Sequence, residues 1–185
     1  MCNFRNFLAI TLLTLGVVMA FCLTLKAGEP RRIDRIIIHC SAVRPDQTSS
    51  ARQIDQWHRA RGWKMIGYHY VIRRDGTVEK GRPEEMVGAH TKGYNRNSIA
   101  ICYEGGLRPT PLTPSRSASL GRGSDYHTAV KYIPADSRTP EQKEALIKLI
   151  RELKQRYPNA TVHGHNEFAQ KACPCFPARD EYSEL

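Results

Sequence analysis

The sequence IDRIIIH, Ile33 to His39, gives the most direct prediction of the fold. Its four isoleucines make the run almost continuously apolar, and β-branched residues favour extended backbone. A short run of this kind is typical of a buried strand. His39 follows the apolar residues, so we expect this strand to carry an imidazole to the edge of a sheet.

The residues after this strand predict a helix. Ser49 or Ser50 can cap its first turn, and Gly62 ends it after about Arg61. Ile54 and Trp57 are three residues apart, and we predict that both lie on the inner face of this helix.

Further strand segments alternate with helical ones. Tyr68–Arg73 and Thr77–Lys80 flank Arg-Asp-Gly, which predicts a hairpin. Ser98–Tyr103 and Ala160–His163 are two further short apolar segments and are predicted to be strands.

A second helix is predicted to begin at Thr139, where Thr-Pro-Glu-Gln supplies a cap, a proline in the first turn and a capping-box glutamine. It should continue to about Tyr157 with one apolar stripe, formed by Leu146, Ile147, Ile150 and Leu153. Strands and helices therefore alternate. The predicted class is α/β, a single domain with a central mixed β-sheet and helices packed on its faces.

The N-terminal segment is distinct from this domain. Residues 7–25 are 19 uncharged residues, with Arg5 before them and Lys26 after them. This length is just enough to span a bilayer and exceeds the usual apolar part of a signal peptide. We therefore predict a signal peptide or signal anchor over residues 1–28 and a folded domain over 29–185. We expect the protein to be exported, with membrane contact through the N-terminal segment alone.

The charge of the chain indicates the kind of partner. Its net charge is +10, and the first 27 residues contribute only two of these charges. A basic exported domain is expected to meet an anionic polymer such as cell-wall glycan. Export and the scattered distribution of basic residues argue against nucleic acid. We expect the protein to be a monomer.

A long segment between the predicted elements has no clear secondary structure. Residues 105–137 are rich in Pro, Ser, Gly and basic residues, which predicts a surface loop longer than a simple connection. We expect it either to fold over a substrate groove or to be a mobile insertion.

The C-terminal sequence VHGHNEFAQKACPCF, Val162 to Phe176, suggests metal chemistry. One hypothesis is a closed structural zinc site formed by four residues, His163, His165, Cys173 and Cys175. The single-residue spacing within each pair argues against it, because structural sites usually separate paired cysteines by two to four residues. A redox pair is a second hypothesis, but that chemistry favours Cys-x-x-Cys. A third is an open site completed by an upstream ligand, for which His39 is the best candidate. These alternatives remain open from the residues alone.

Four blocks, in order, resemble the zinc-dependent N-acetylmuramoyl-L-alanine amidases, the family that joins phage lysozyme-type amidases to peptidoglycan recognition proteins. The blocks are IIIHCSAV, GYHYVIRRDGTVEKGR, GAHTKGYNRNSIAICYEGG and HNEFAQKACP. The resemblance implies one zinc ion bound by His39, His165 and Cys173, with water as the fourth ligand. It also implies hydrolysis of the amide bond between N-acetylmuramic acid and L-alanine in peptidoglycan. With the predicted export signal, it implies localisation in the bacterial periplasm or cell envelope.

The same resemblance implies roles for four other residues. Tyr68 matches a tyrosine that hydrogen-bonds the zinc water or the substrate carbonyl, and Lys171 matches a lysine that stabilises the oxyanion. His90 and Asn95 lie in a block that lines the substrate groove, so we expect them to contact substrate. We expect His69 and Cys175 to be structural. His163 should either support the site or face solvent. Cys40 and Cys102 should be buried thiols.

Two other functions remain open. One is a non-catalytic peptidoglycan-binding or sensing module; such family members tend to lack the cysteine ligand, whereas Cys173 is present. The other is a zinc peptidase that cuts within the stem peptide.

Overall fold

A computed structural model describes residues 30–110 and 130–185 of the chain. The described residues from 32 onward belong to one compact unit. These described residues form seven strands and three α-helices, in this order: β1 (Arg35–Cys40), α1 (Ala51–Ala60), β2 (Tyr70–Ile72), β3 (Val78–Lys80), β4 (Ser98–Tyr103), β5 (Leu107–Thr110), β6 (Lys131–Pro134), α2 (Pro140–Arg156), β7 (Thr161–Gly164) and α3 (Ala178–Glu181).

The central sheet has five strands in the order β3-β2-β4-β1-β7. Strand β1 pairs in parallel with both β4 and β7, and β2 pairs in parallel with β4. Only β3 runs antiparallel to its neighbour. The sheet is therefore mixed, as the sequence predicts, and β1 lies inside it.

The two faces of the sheet are covered by different helices. Helix α2 buries Leu146, Leu149, Ile150 and Leu153 against one face. On the other face Ile54 of α1 packs with Ile66, Val71 and Cys102. Successive side chains of β1 point to opposite faces of the sheet, and both faces are covered by helices. Each side chain therefore needs to be apolar, which explains the continuous run of isoleucines in β1.

Both helices begin as the capping residues predict. Ser50 accepts a hydrogen bond from the backbone of Gln53, and Thr139 forms a capping box with Gln142.

The prediction that Trp57 lies on the inner face of α1 is wrong, because its exposed fraction is 37%. His58 is buried instead, where its Nδ1 accepts the backbone N–H of Gly67 at 2.9 Å. His58 is four residues after Ile54 and therefore lies on the same helical face, with its buried ring nitrogen hydrogen-bonded.

The segment 105–137 is not a loop throughout. Its described ends, Leu107–Thr110 and Lys131–Pro134, pair as an antiparallel two-stranded ribbon. This corrects the prediction at both ends of the segment, while residues 111–129 lie outside the described part.

The predicted leader over residues 1–28 also lies outside the described residues. Within residues 30–110 and 130–185, no helix is long and apolar enough to cross a membrane.

Candidate metal centre and groove

Two histidines meet at the carboxyl edge of the central sheet. The parallel pairing of β1 with β7 sets Ile38 beside Gly164, the last residue of β7. His39 is the next residue of β1, and His165 is the first residue after β7. Their ring centroids are 4.5 Å apart, and both residues are buried. Strand register thus brings together two side chains that are more than a hundred residues apart in the sequence.

The thiol of Cys173 completes a cluster with these rings. Its Sγ lies 3.8 Å from Nδ1 of His39 and 3.2 Å from the backbone nitrogen of Cys40, whose N–H it accepts. One ligand atom from each of His39, His165 and Cys173 lies within 4.8 Å of the other two. The described residues contain no second group of this kind.

The donor set is suited to zinc. Tetrahedral zinc with bonds of about 2.0–2.1 Å to nitrogen and 2.3 Å to sulfur places those two atoms about 3.6 Å apart. The 3.8 Å between Sγ of Cys173 and Nδ1 of His39 is close to that spacing. Nitrogen and sulfur donors together favour zinc over magnesium or calcium, which prefer oxygen.

The protonation of the imidazoles also suits a metal. Burial lowers the pKa of His39 well below its usual value, and electrostatic interactions with His90, His165 and Lys171 lower it further. Burial and the charge of Lys171 lower the pKa of His165 in the same way. Both rings are therefore neutral at pH 7, which is the form that carries a free lone pair.

Cys175 lies beside the cluster but faces away from it. Its Sγ is 3.8 Å from Sγ of Cys40 and approaches the carbonyl oxygen of Gly106 at 3.4 Å. The hydrogen bond to Cys173 raises the pKa of Cys40 to about 12, and the bond to Cys40 raises that of Cys175. The Cys175 thiol thus interacts with Cys40 and Gly106 and is not part of the group of candidate metal ligands.

His163 is also outside the cluster. Its Nδ1 lies 2.7 Å from Oε2 of Glu167 and its Nε2 lies 2.8 Å from Oγ1 of Thr161. With both His163 and Cys175 occupied elsewhere, the geometry does not form the closed four-ligand site.

Tyr68 packs directly against the cluster. Its ring centroid is 5.0 Å from that of His39. Burial raises its pKa well above the usual value, and nearby cysteine thiols raise it further. The phenol therefore keeps its proton at neutral pH and can donate a hydrogen bond.

Lys171 borders an open groove beside the cluster. The groove has a volume of about 470 Å³, and its lining includes His90, Asn95, His165, Phe168 and Lys171. The Lys171 side chain is exposed, and its positive charge lowers the pKa of both His39 and His165. A ligand in this groove would therefore lie near the Lys171 side chain and near His165, one of the candidate metal ligands.

His90 and Asn95 both line this groove, and they also have structural contacts. His90 Nδ1 lies 3.1 Å from Nε2 of His39. Oδ1 of Asn95 accepts the backbone N–H groups of His90 and Thr91 at 2.9 and 2.8 Å. The contact between His90 and His39 was missed from the sequence, since 51 residues separate them and no motif links them.

His69 has the structural role predicted for it. Its Nδ1 accepts the backbone N–H of Ala100 at 3.0 Å, and its Nε2 lies 3.1 Å from the carbonyl oxygen of Met86. His69 lies just before β2, which begins at Tyr70.

Comparison with known proteins gives a consistent result for most of the chain. The sequence model of the family described as N-acetylmuramoyl-L-alanine amidase matches residues 29–176. The endolysin of Escherichia phage T7 is 40% identical over 143 residues, which are 77% of this chain and 81% of that protein.

Solved structures share the fold. N-acetylmuramoyl-L-alanine amidase LysC from Clostridium intestinale superposes with a TM-score of 0.60 at 29% identity, covering 81% of each chain. Drosophila PGRP-LB superposes with a TM-score of 0.59 at 24% identity, covering 86% of this chain and 89% of that one, and this second likeness supports the fold alone.

Proposed function

This chain belongs to the N-acetylmuramoyl-L-alanine amidase family, and on that premise we propose that it is a zinc-dependent enzyme of the bacterial envelope. Its reaction is hydrolysis of the amide bond between N-acetylmuramic acid and L-alanine in peptidoglycan. His39, His165 and Cys173 hold the metal, and the fourth position remains for water or substrate.

One observation carries the metal part of the proposal. The three side chains offer two imidazole nitrogens and one sulfur within 4.8 Å of one another, beside an open groove. Three protein ligands and an open position are the usual arrangement of catalytic zinc, whereas structural zinc usually has four protein ligands. Zinc bound there would lower the pKa of a coordinated water to about 7 and polarise an amide carbonyl.

Tyr68 and Lys171 supply the other groups that amide hydrolysis requires. The protonated hydroxyl of Tyr68 donates a hydrogen bond to the attacking water or to the carbonyl oxygen of the substrate. The ammonium of Lys171 offsets the negative charge that develops on that oxygen. A preorganised donor or cation of this kind stabilises the transition state more than the substrate, and therefore raises the rate.

The groove is the proposed substrate site. His90 and Asn95 lie on its lining and are placed to contact the muropeptide. The net charge of +10 favours approach to an anionic cell-wall polymer. We assign the amidase domain to residues 29–185 and propose that residues 1–28 direct export, so that the enzyme meets peptidoglycan in the periplasm or at the cell surface.

The test uses the purified full chain and purified peptidoglycan, with and without a zinc chelator. Mass spectrometry of the products should show new L-alanine N-termini and peptide-free glycan. The chelator should abolish both, and added zinc should restore them.

The products also separate the other functions. Fragments cut within the stem peptide, with lactyl–alanine bonds intact, would indicate a peptidase on the same metal. Intact peptidoglycan that retains the protein would indicate a binding module and would contradict the proposal.

A further inference from the structure

The two ring nitrogens of His39 face different partners. Nδ1 lies 3.8 Å from Sγ of Cys173, on the side of the metal ligands. Nε2 points the other way and lies 3.1 Å from Nδ1 of His90. Because Nδ1 must be unprotonated to bind a metal, the neutral ring carries its hydrogen on Nε2, which then donates to His90.

His90 can accept that hydrogen bond only as one of its two neutral tautomers. The hydroxyl of Ser98 donates to the carbonyl oxygen of Tyr94 at 2.8 Å, so its oxygen is left to accept a hydrogen bond. Nε2 of His90 lies 3.3 Å from that oxygen. This geometry favours a hydrogen on Nε2 of His90 and a lone pair on Nδ1, where His39 donates.

The backbone around His90 is shaped to hold this ring. Asn95 fixes it by accepting the N–H groups of His90 and Thr91. At Gly88, a Cβ atom would lie 2.5 Å from Cδ2 of His90 and 2.9 Å from Cε1 of His69. A side chain at Gly88 would therefore displace the ring. Oγ1 of Thr91 lies 3.0 Å from Nδ1 of His90 and 3.5 Å from Nε2 of His39, which leaves it beside both rings.

We infer that His90 is a positioning residue of the metal centre. It accepts a hydrogen bond from Nε2–H of His39 and donates one to the hydroxyl oxygen of Ser98. These two bonds hold the His39 ring so that Nδ1 is directed at the metal position. The inference rests on the proposed function, because it concerns the same metal site. It gives His90 a role in holding a metal ligand, in addition to any contact with substrate. A ligand histidine in proteins usually donates its second N–H to a carboxylate, carbonyl or water, and here an imidazole takes that place.

The experiment measures zinc affinity rather than activity alone. The purified full chain and its variants compete for Zn²⁺ with a chromophoric chelator, and the apparent dissociation constant is obtained from the chelator absorbance. His90→Ala should weaken zinc binding about 10–100-fold, the usual cost of losing such a partner. His90→Asn should retain most of the affinity, since its amide oxygen can accept the hydrogen bond close to the former position of Nδ1.

Ser98→Ala separates positioning from substrate contact. Ser98 is fully buried and cannot touch a substrate, but its loss frees His90 to adopt the other tautomer. Zinc affinity should therefore fall in Ser98→Ala as well, by less than in His90→Ala. Circular dichroism and thermal unfolding of the zinc-free proteins establish that each variant is folded, and His90→Asn remains informative if His90→Ala is not.

The outcomes distinguish this inference from the proposed function. An unchanged zinc constant in folded His90→Ala, with KM for a soluble muropeptide raised, would make His90 a substrate contact and overturn the positioning role. An unmodified chain that binds no zinc would overturn both.

Discussion

Replacement of Lys171 by alanine tests whether this exposed side chain acts on the reaction or only borders the groove. Its charge contributes to the lowered pKa of His39 and of His165, so it is close enough to influence charge at the site. Loss of one oxyanion donor costs about 100–1,000-fold in rate, which at 1.36 kcal/mol per tenfold is about 2.7–4.1 kcal/mol of barrier. Because solvent screens an exposed cation, we expect Lys171→Ala to lie near the lower value, about 100-fold.

The assay for Lys171→Ala has two readouts, kcat for a soluble muropeptide and bound zinc measured by elemental analysis. We expect a loss in kcat with zinc content unchanged at neutral pH, since Lys171 is not a ligand. Lys148→Ala is the matched control, because it removes the same charge from an exposed position on α2. Full activity in Lys171→Ala, or an equal loss in Lys148→Ala, would show that Lys171 does not act on the reaction.

The same variant should change the pH dependence of zinc binding. Lys171 lowers the pKa of both ligand histidines, so its removal raises them. Protons compete with zinc for the imidazole lone pairs and begin to do so at a higher pH when the pKa is higher. Zinc release on acidification should therefore begin at a higher pH in Lys171→Ala than in the unmodified chain. Zinc release that began at a lower pH in the variant would contradict this prediction.

Four further substitutions test the roles of single residues. Cys173→Ala should lose zinc and activity together, whereas Cys175→Ala should keep zinc; equal zinc loss in both, by elemental analysis, would favour the closed site. Tyr68→Phe should keep zinc, because the ring packing against the metal centre remains, but lower kcat about 100-fold through loss of one hydrogen-bond donor; an unchanged kcat would remove its catalytic role. Ile150→Ala should cost about 2–5 kcal/mol in the free energy of unfolding, because the side chain is fully buried on α2, and denaturant titration would show less than 1 kcal/mol if that packing were unimportant.

Local patterns predict much of the fold. Ser98–Tyr103 is a strand with the predicted bounds, and the helix after Thr139 begins with the predicted capping box. These features depend on neighbours in sequence, namely β-branched runs and side chains that bond the backbone three residues away. The sheet order depends on contacts between distant segments, and the residues predict only its class.

The errors have physical causes of the same kind. Apolar periodicity places Trp57 inside α1, but the inner position belongs to His58, whose ring nitrogen pairs with the backbone of Gly67. Composition predicts a loop over residues 105–137, but the ribbon at its ends is stabilised by backbone pairing between segments about twenty residues apart. Neither feature has a local signal in the sequence.

The candidate site shows the same division. Residue types and a family resemblance pointed to His39, His165 and Cys173, and the structure brings their ligand atoms together. The hydrogen bond between His39 and His90 depends on how a loop before β4 folds back against β1, so only the structure reveals it.

The most direct test of the central claim is zinc K-edge X-ray absorption on the purified full chain loaded with one zinc per molecule. Metal distances identify the ligands, since Zn–S is about 2.3 Å and Zn–N is about 2.0–2.1 Å. We expect one sulfur and three nitrogen or oxygen neighbours, from Cys173, the two histidines and water. Two sulfur neighbours would place Cys175 on the metal and contradict the open catalytic site.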